Sequence, residues 1–107
     1  MAFVAVARVE EVPPGTVIPV RVGDEELALA HCDDGFFAVA GHCLHLQGPL
    51  AEGHLDGCGL ICPWHGWQYD VRTGKNDFDL AIQLRTYDVR VEDGEVRLAL
   101  SVPTDNS

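Results

Sequence analysis

Five short alternating runs, separated by turn signals, confine this chain to β-structure. Thr16–Val22 reads TVIPVRV and puts Ile18, Val20 and Val22 on one face. Glu26–His31 follows a Gly23-Asp24 turn, and Phe36–Ala40 follows Asp34-Gly35. Arg85–Val91 sets Tyr87, Val89 and Val91 against Thr86, Asp88 and Arg90 on the opposite side. Asp93-Gly94 then reverses the chain into a last run whose Val96, Leu98 and Leu100 share a face. Asp-Gly between alternating runs signals antiparallel hairpins, because Gly enters positive φ freely and Asp tolerates it. Pro13-Pro14-Gly15 marks a further turn. Asp77–Leu84 offers at most one turn of helix. The expectation is an all-β antiparallel sandwich or small barrel. With 107 residues, the chain has room for one domain and little more.

The stretch from Gly41 to Gly74 breaks this pattern. It holds both Trp residues, many Gly and two short motifs, Cys43-Leu44-His45 and Cys62-Pro63-Trp64-His65. It reads as two loops with short strands between them, carried on the flanking β framework, where function commonly resides. Each motif supplies one thiolate and one imidazole, so two facing loops would present four metal ligands. Two chemistries use such a set. One is structural zinc, tetrahedral with mixed sulfur and nitrogen ligands. The other is a two-iron cluster in which two Cys hold one iron and two His hold the other. A common zinc-finger pattern places both Cys in one element and both His in another. Here each loop brings one of each, which suits two irons side by side.

The residues around these motifs resemble a known family. Cys62-Pro-Trp-His-Gly-Trp-Gln-Tyr-Asp70 with Thr73-Gly74, and Gly48-Pro-Leu-Ala-Glu-Gly53, are similar to the two cluster loops of Rieske ferredoxins. Val12-Pro-Pro-Gly-Thr16, Phe37-Ala-Val-Ala40, Leu84-Arg-Thr-Tyr87 and Glu92-Asp-Gly-Glu95 extend the resemblance over nearly the whole chain. It implies a Rieske-like antiparallel sandwich over 1–107, with a small cluster-binding subdomain inserted at about 41–74. It implies one [2Fe–2S] cluster held by Cys43, His45, Cys62 and His65. Two departures stand in the first loop, where Leu44 and Gln47 replace the family's Pro and Gly. The respiratory branch bridges its loops with two further cysteines; the matching positions here are Gly48 and Trp64. The soluble, oxygenase-associated type is therefore the nearer likeness.

The resemblance also implies roles around the cluster. Backbone N–H groups near Leu46, Trp64 and Gly66 would donate to its sulfurs, and Tyr69 would add a hydroxyl. High-potential relatives carry a Ser where this chain has Trp67, so a potential toward the low end of the Rieske range is expected, about −150 mV to modestly higher. The outer edges of His45 and His65 would serve as the electron port and would titrate with redox state. Trp64 would help form an apolar rim, and Trp67 reads as packing.

Net charge is −10, from 17 acidic and 7 basic residues. Nucleic acid and anionic membranes are disfavoured as partners, while a basic protein surface would be attracted. No basic leader precedes an apolar segment, and no run approaches the length of a membrane span, so a cytoplasmic protein is expected. The expected function is a soluble one-electron carrier and not an enzyme. It would pass electrons from a flavin-dependent reductase to a terminal, aromatic-ring hydroxylating oxygenase, working as a monomer. The alternatives are a small Rieske-like subunit of a nitrite reductase complex and a zinc-stabilised interaction module. Cys32 and Cys58 read as small buried hydrophobes, with metal binding favoured over disulfides for the four cysteines as a set. His42 and His54 read as polar loop residues, and His31 as a strand residue.

Overall fold

A computed structural model describes residues 3–22, 25–41, 49–63, 66–76 and 82–99. Cys43, His45, Leu46, Trp64 and His65 lie outside these residues, as do His42, Gln47, the Gly23-Asp24 turn, Leu100 and most of the Asp77–Leu84 stretch. The described residues form ten strands: β1 (Phe3–Arg8), β2 (Thr16–Val22), β3 (Glu25–Cys32), β4 (Gly35–Ala40), β5 (His54–Asp56), β6 (Gly59–Ile61), β7 (Gln68–Asp70), β8 (Thr86–Tyr87), β9 (Val89–Glu92) and β10 (Glu95–Ala99). All pairings are antiparallel. They make three sheets, ordered β1-β10-β9, β2-β3-β4-β8 and β5-β6-β7. Helical geometry among the described residues is limited to single 3-10 turns at Val9–Glu11 and Leu50–Glu52.

Turn chemistry accounts for the hairpins. Asp93 and Gly94 both have positive φ, 54° and 77°, and join β9 to β10 with Glu92 opposite Glu95. That is the torsional requirement of a two-residue turn whose twist matches the strands. Pro19 is accommodated because β2 lies at the edge of its sheet.

Strand β3 is the middle layer. Its Leu27 and Leu29 point into a core with Val12, Val20, Ala38, Val96 and Leu98, toward the β1-β10-β9 sheet. Its Ala28, Ala30 and Cys32 point the other way, into a second core with Leu50, Leu60, Tyr69 and Val71. The sequence LALA thus places large residues against one layer and small ones against the other. Small side chains on that face leave room for Leu50 of the Leu50–Glu52 turn, with Leu60 and Tyr69 of the third sheet, to complete the core.

Three expectations change. The Arg85–Val91 run is two strands. β8 pairs with β4 in the middle sheet, and β9 pairs with β10 in the outer one, the chain switching sheets at Asp88. Period-2 alternation survives such a switch, so the break leaves no mark in the pattern. Val91 is 47% exposed, because it lies two residues from the hairpin tip, beyond the core that Tyr87 and Val89 pack against. Finally, Phe3–Arg8 forms β1 against β10, a strand the alternation analysis did not assign.

Candidate metal centre

The two loops of interest leave the framework at adjacent, tightly tied necks. The first neck is Gly41 and Leu50: Leu50 N–H donates to the Gly41 carbonyl at 2.9 Å, and Gly41 N–H donates to the Glu26 carbonyl at 3.0 Å. A Cβ on Gly41 would sit 2.5 Å from that Glu26 oxygen, so the backbones meet where no larger residue fits. Residues 42–48 span this neck. The Leu50–Glu52 turn then delivers Gly53, whose Cβ position is occupied by the Ile61 carbonyl oxygen of β6. The exit of the first loop is thereby packed on the strand leading into the second.

The second loop begins at Cys62. Its N–H donates to the Trp67 carbonyl at 2.7 Å, and its carbonyl accepts from Gly66 N–H at 3.1 Å. Gly66 has φ +79°, the left-handed conformation that lets residues 62–67 close on themselves. Cys62 is buried and outside the disulfide described below. It shares the inner core with Leu50, Leu60 and Tyr69, and Trp67 packs on that core from its edge. Tyr69 is fully buried on β7. Of the four expected ligands, Cys62 is described; Cys43, His45 and His65 fall in the two segments these necks enclose. The donor set fits a mixed sulfur and nitrogen metal site: a buried thiol stands at the mouth of one loop, and the other loop emerges beside it. Among the described residues, no three His, Cys, Asp or Glu side chains converge into a rival site.

Gly66 N–H donates to the Cys62 carbonyl and so helps shape the loop. Of the other histidines, His31 sits in a strand as expected, whereas His54 begins a strand where a loop was expected. His31 Nδ1 hydrogen-bonds the Val12 carbonyl at 2.7 Å and its ring stacks on Phe36 at 4.0 Å. His54 is exposed on β5.

The remaining cysteines depart from the sequence reading. Cys32 and Cys58 form a disulfide, with Cα atoms 5.1 Å apart. Cys32 is the last residue of β3, on its alanine face, and Cys58 lies in the β5–β6 turn that packs on that face. Their separation of 26 residues carries no signal of this pairing. The β7 turn joins the same end of the molecule: Val71 N–H donates to the Cys58 carbonyl at 2.9 Å, and Arg72 bridges Asp34 at 2.7 Å and Asp70 at 3.0 Å. Hydrogen bonding from Arg72 holds the Asp70 carboxyl below its ordinary pKa, against the opposing effect of partial burial.

Comparison with known proteins gives consistent results. The family model described as "Rieske [2Fe-2S] domain" matches residues 2–88. The ferredoxin CarAc of Metapseudomonas resinovorans is 35% identical over 99 residues, covering 91% of this chain and 92% of that protein. A biphenyl dioxygenase ferredoxin subunit from a Pseudomonas species is 34% identical over 103 residues, covering 94% of each. Among solved structures, a complex of reduced oxygenase and oxidized ferredoxin in carbazole 1,9a-dioxygenase contains a chain that matches with TM-score 0.82 and 35% identity, over 91% of this chain and 92% of that one.

Proposed function

Because the chain belongs to the Rieske [2Fe–2S] domain family, we propose that Cys43 and Cys62 hold one iron of its cluster, and His45 and His65 the other. The protein carries one Rieske-type cluster and is an electron-transfer component, not itself a catalytic enzyme. The observation that supports the ligand assignment is the buried Cys62 thiol at the mouth of a loop closed by Gly66, beside the Gly41–Leu50 neck of the other loop.

When bound, the cluster supplies one-electron uptake and release, at a potential raised by neutral imidazole ligands in place of two thiolates. The chain's own residues do the rest. The two necks fix where each ligand loop starts and ends. Burial of Cys62, Leu50, Leu60 and Tyr69 keeps water from the thiolate side. Trp67 packs at the edge of the same core.

The finer reading is a shuttle between a flavin-dependent reductase and a terminal oxygenase acting on aromatic rings. The likeness to a biphenyl dioxygenase ferredoxin subunit and to a ferredoxin in complex with an oxygenase supports the oxygenase half of this reading. No helix among the described residues is long and apolar enough to cross a membrane. A cytoplasmic monomer, with the cluster-bearing subdomain at about 41–74 inside one domain, completes the proposal.

Metal and sulfide analysis of the purified protein tests the assignment. Two irons and two sulfides per chain are expected, with the EPR signal of a mixed-ligand two-iron cluster. Alanine at Cys43, His45, Cys62 or His65 should abolish that signal, while His54→Ala should leave it intact. A signal unchanged by loss of either His45 or His65 would remove the assignment.

A further inference from the structure

We propose that the Cys32–Cys58 bond is a thiol–disulfide exchange site, open to small thiols at Cys58, whose state sets how firmly the cluster-bearing layer is fastened to the framework. The two sulfurs differ in access. Cys32 is 4% exposed, whereas Cys58 is only partly buried. Cys58 lines a cleft of about 400 Å³ together with Gly59, Gln68, Asp70, Arg72 and Lys75. Both of its chain neighbours, Gly57 and Gly59, lack a side chain that could shield it. The charges around the cleft balance, Arg72 being paired with Asp70 and Asp34 and Lys75 standing nearby, so access and not charge selects Cys58 as the sulfur attacked.

The exchange is balanced as follows. A thiolate attacks Cys58 Sγ, the Cys32–Cys58 bond breaks, and Cys32 leaves and takes up a proton. This gives Cys32 thiol and a mixed disulfide on Cys58. A second thiol attacks the incoming sulfur, releasing Cys58 thiol and the oxidised disulfide of the reagent. Two thiols are oxidised and one protein disulfide is reduced; the reverse path closes the bond from the same couple. In a compartment where thiols are kept reduced, such a bond is redox-responsive and not a permanent fixture.

The placement gives the bond a consequence. It is the covalent tie between the end of β3 and the β5–β6 turn. The ring it closes runs from 32 to 58 and includes β4 and the whole segment between Gly41 and Leu50. Opening it leaves the Arg72–Asp34 ion pair, itself about half exposed, and the alanine-face packing to hold that end. Cys62 is spared, because β6 separates it from Cys58 by four residues, about 13 Å of strand. The effect on the cluster rests on the ligand reading above; the exchange chemistry does not.

Holoprotein equilibrated in graded mixtures of reduced and oxidised glutathione, then alkylated and digested for mass spectrometry, tests the site. The expected result is a bond that opens and closes with the mixture and a glutathione adduct on Cys58, not on Cys32. In parallel, cluster absorbance under a chelator should decay at least about threefold faster for the opened form. A Cys32→Ser/Cys58→Ser double variant should decay at that faster rate whatever the mixture. Two free thiols under oxidising conditions, an adduct on Cys32, or a decay rate indifferent to the bond would each overturn the proposal. Failure of the ligand reading is separable: the spectrum would be wrong while the glutathione chemistry remained.

Discussion

At the residue scale, single glycines decide whether the site can assemble. Gly41 meets the Glu26 carbonyl at a distance no Cβ tolerates. Gly41→Ala should therefore cost about 1–3 kcal/mol by overpacking and should loosen the first loop, measured as a lower urea midpoint together with faster cluster loss. Gly41 was visible in the sequence only as one of 11 glycines, because close approach of two backbones is a tertiary fact. The proposed metal ligands stood out for the opposite reason: Cys and His at fixed short spacing are a local pattern. Tyr87 offers a pH prediction. Burial, then its 2.8 Å hydrogen bond to Glu25, pushes its hydroxyl up to about 12 from an ordinary 10. A raised folded pKa means the stabilisation is complete below pH 10 and is lost as pH rises toward 12. Wild-type stability should fall over that window by more than that of Tyr87→Phe, compared by denaturant unfolding at pH 9 and pH 11.5. At the site itself, Trp67 packs on the core edge; with no Ser there, redox titration should place the midpoint below about 0 mV.

At the scale of elements, β3 organises the molecule by having two unlike faces. Ala28→Leu would push a large side chain into the face that meets Leu50 and Leu60. A loss of about 1–3 kcal/mol is expected by overpacking, read by thermal or urea denaturation, with the outer core of Val96 and Leu98 unaffected. The disulfide acts on the same face. In the chain-entropy picture, a loop of this length contributes about 3.5 kcal/mol, so reduction should lower unfolding free energy by an amount of that order. Alternation revealed β2, β9 and β10, while β3 and β4, with buried residues on both faces, were revealed by the turns that flank them. The three-residue strands β5, β6 and β7 were too short to show a period. The Asp88 sheet switch preserved alternation and so stayed hidden, and the Cys32–Cys58 pairing joins segments that nothing local connects.

At the scale of the whole molecule, net charge bears on the kind of partner that would dock. A net charge of −10 would speed encounter with a basic docking face and make that encounter sensitive to ionic strength. With the proposed oxygenase partner, the second-order rate of electron delivery should fall as salt rises from about 20 to 200 mM, in stopped-flow measurements. A rate flat across that range would assign the acidic residues to solubility alone. The fold class and family likeness were legible from sequence because they rest on periodicity and on an unusual ligand set. The three-layer stacking was not, since it depends on which face of β3 each sheet covers.

Closing a ring between residues 32 and 58 also changes what a backbone cut can do. A protease that nicks the chain once anywhere from Asp33 to Gly57 would not release a fragment, because both pieces stay joined through sulfur. Such a nicked molecule would migrate as one band without reductant and as two with it. Damage within that ring would thus be carried silently by a protein still in one piece.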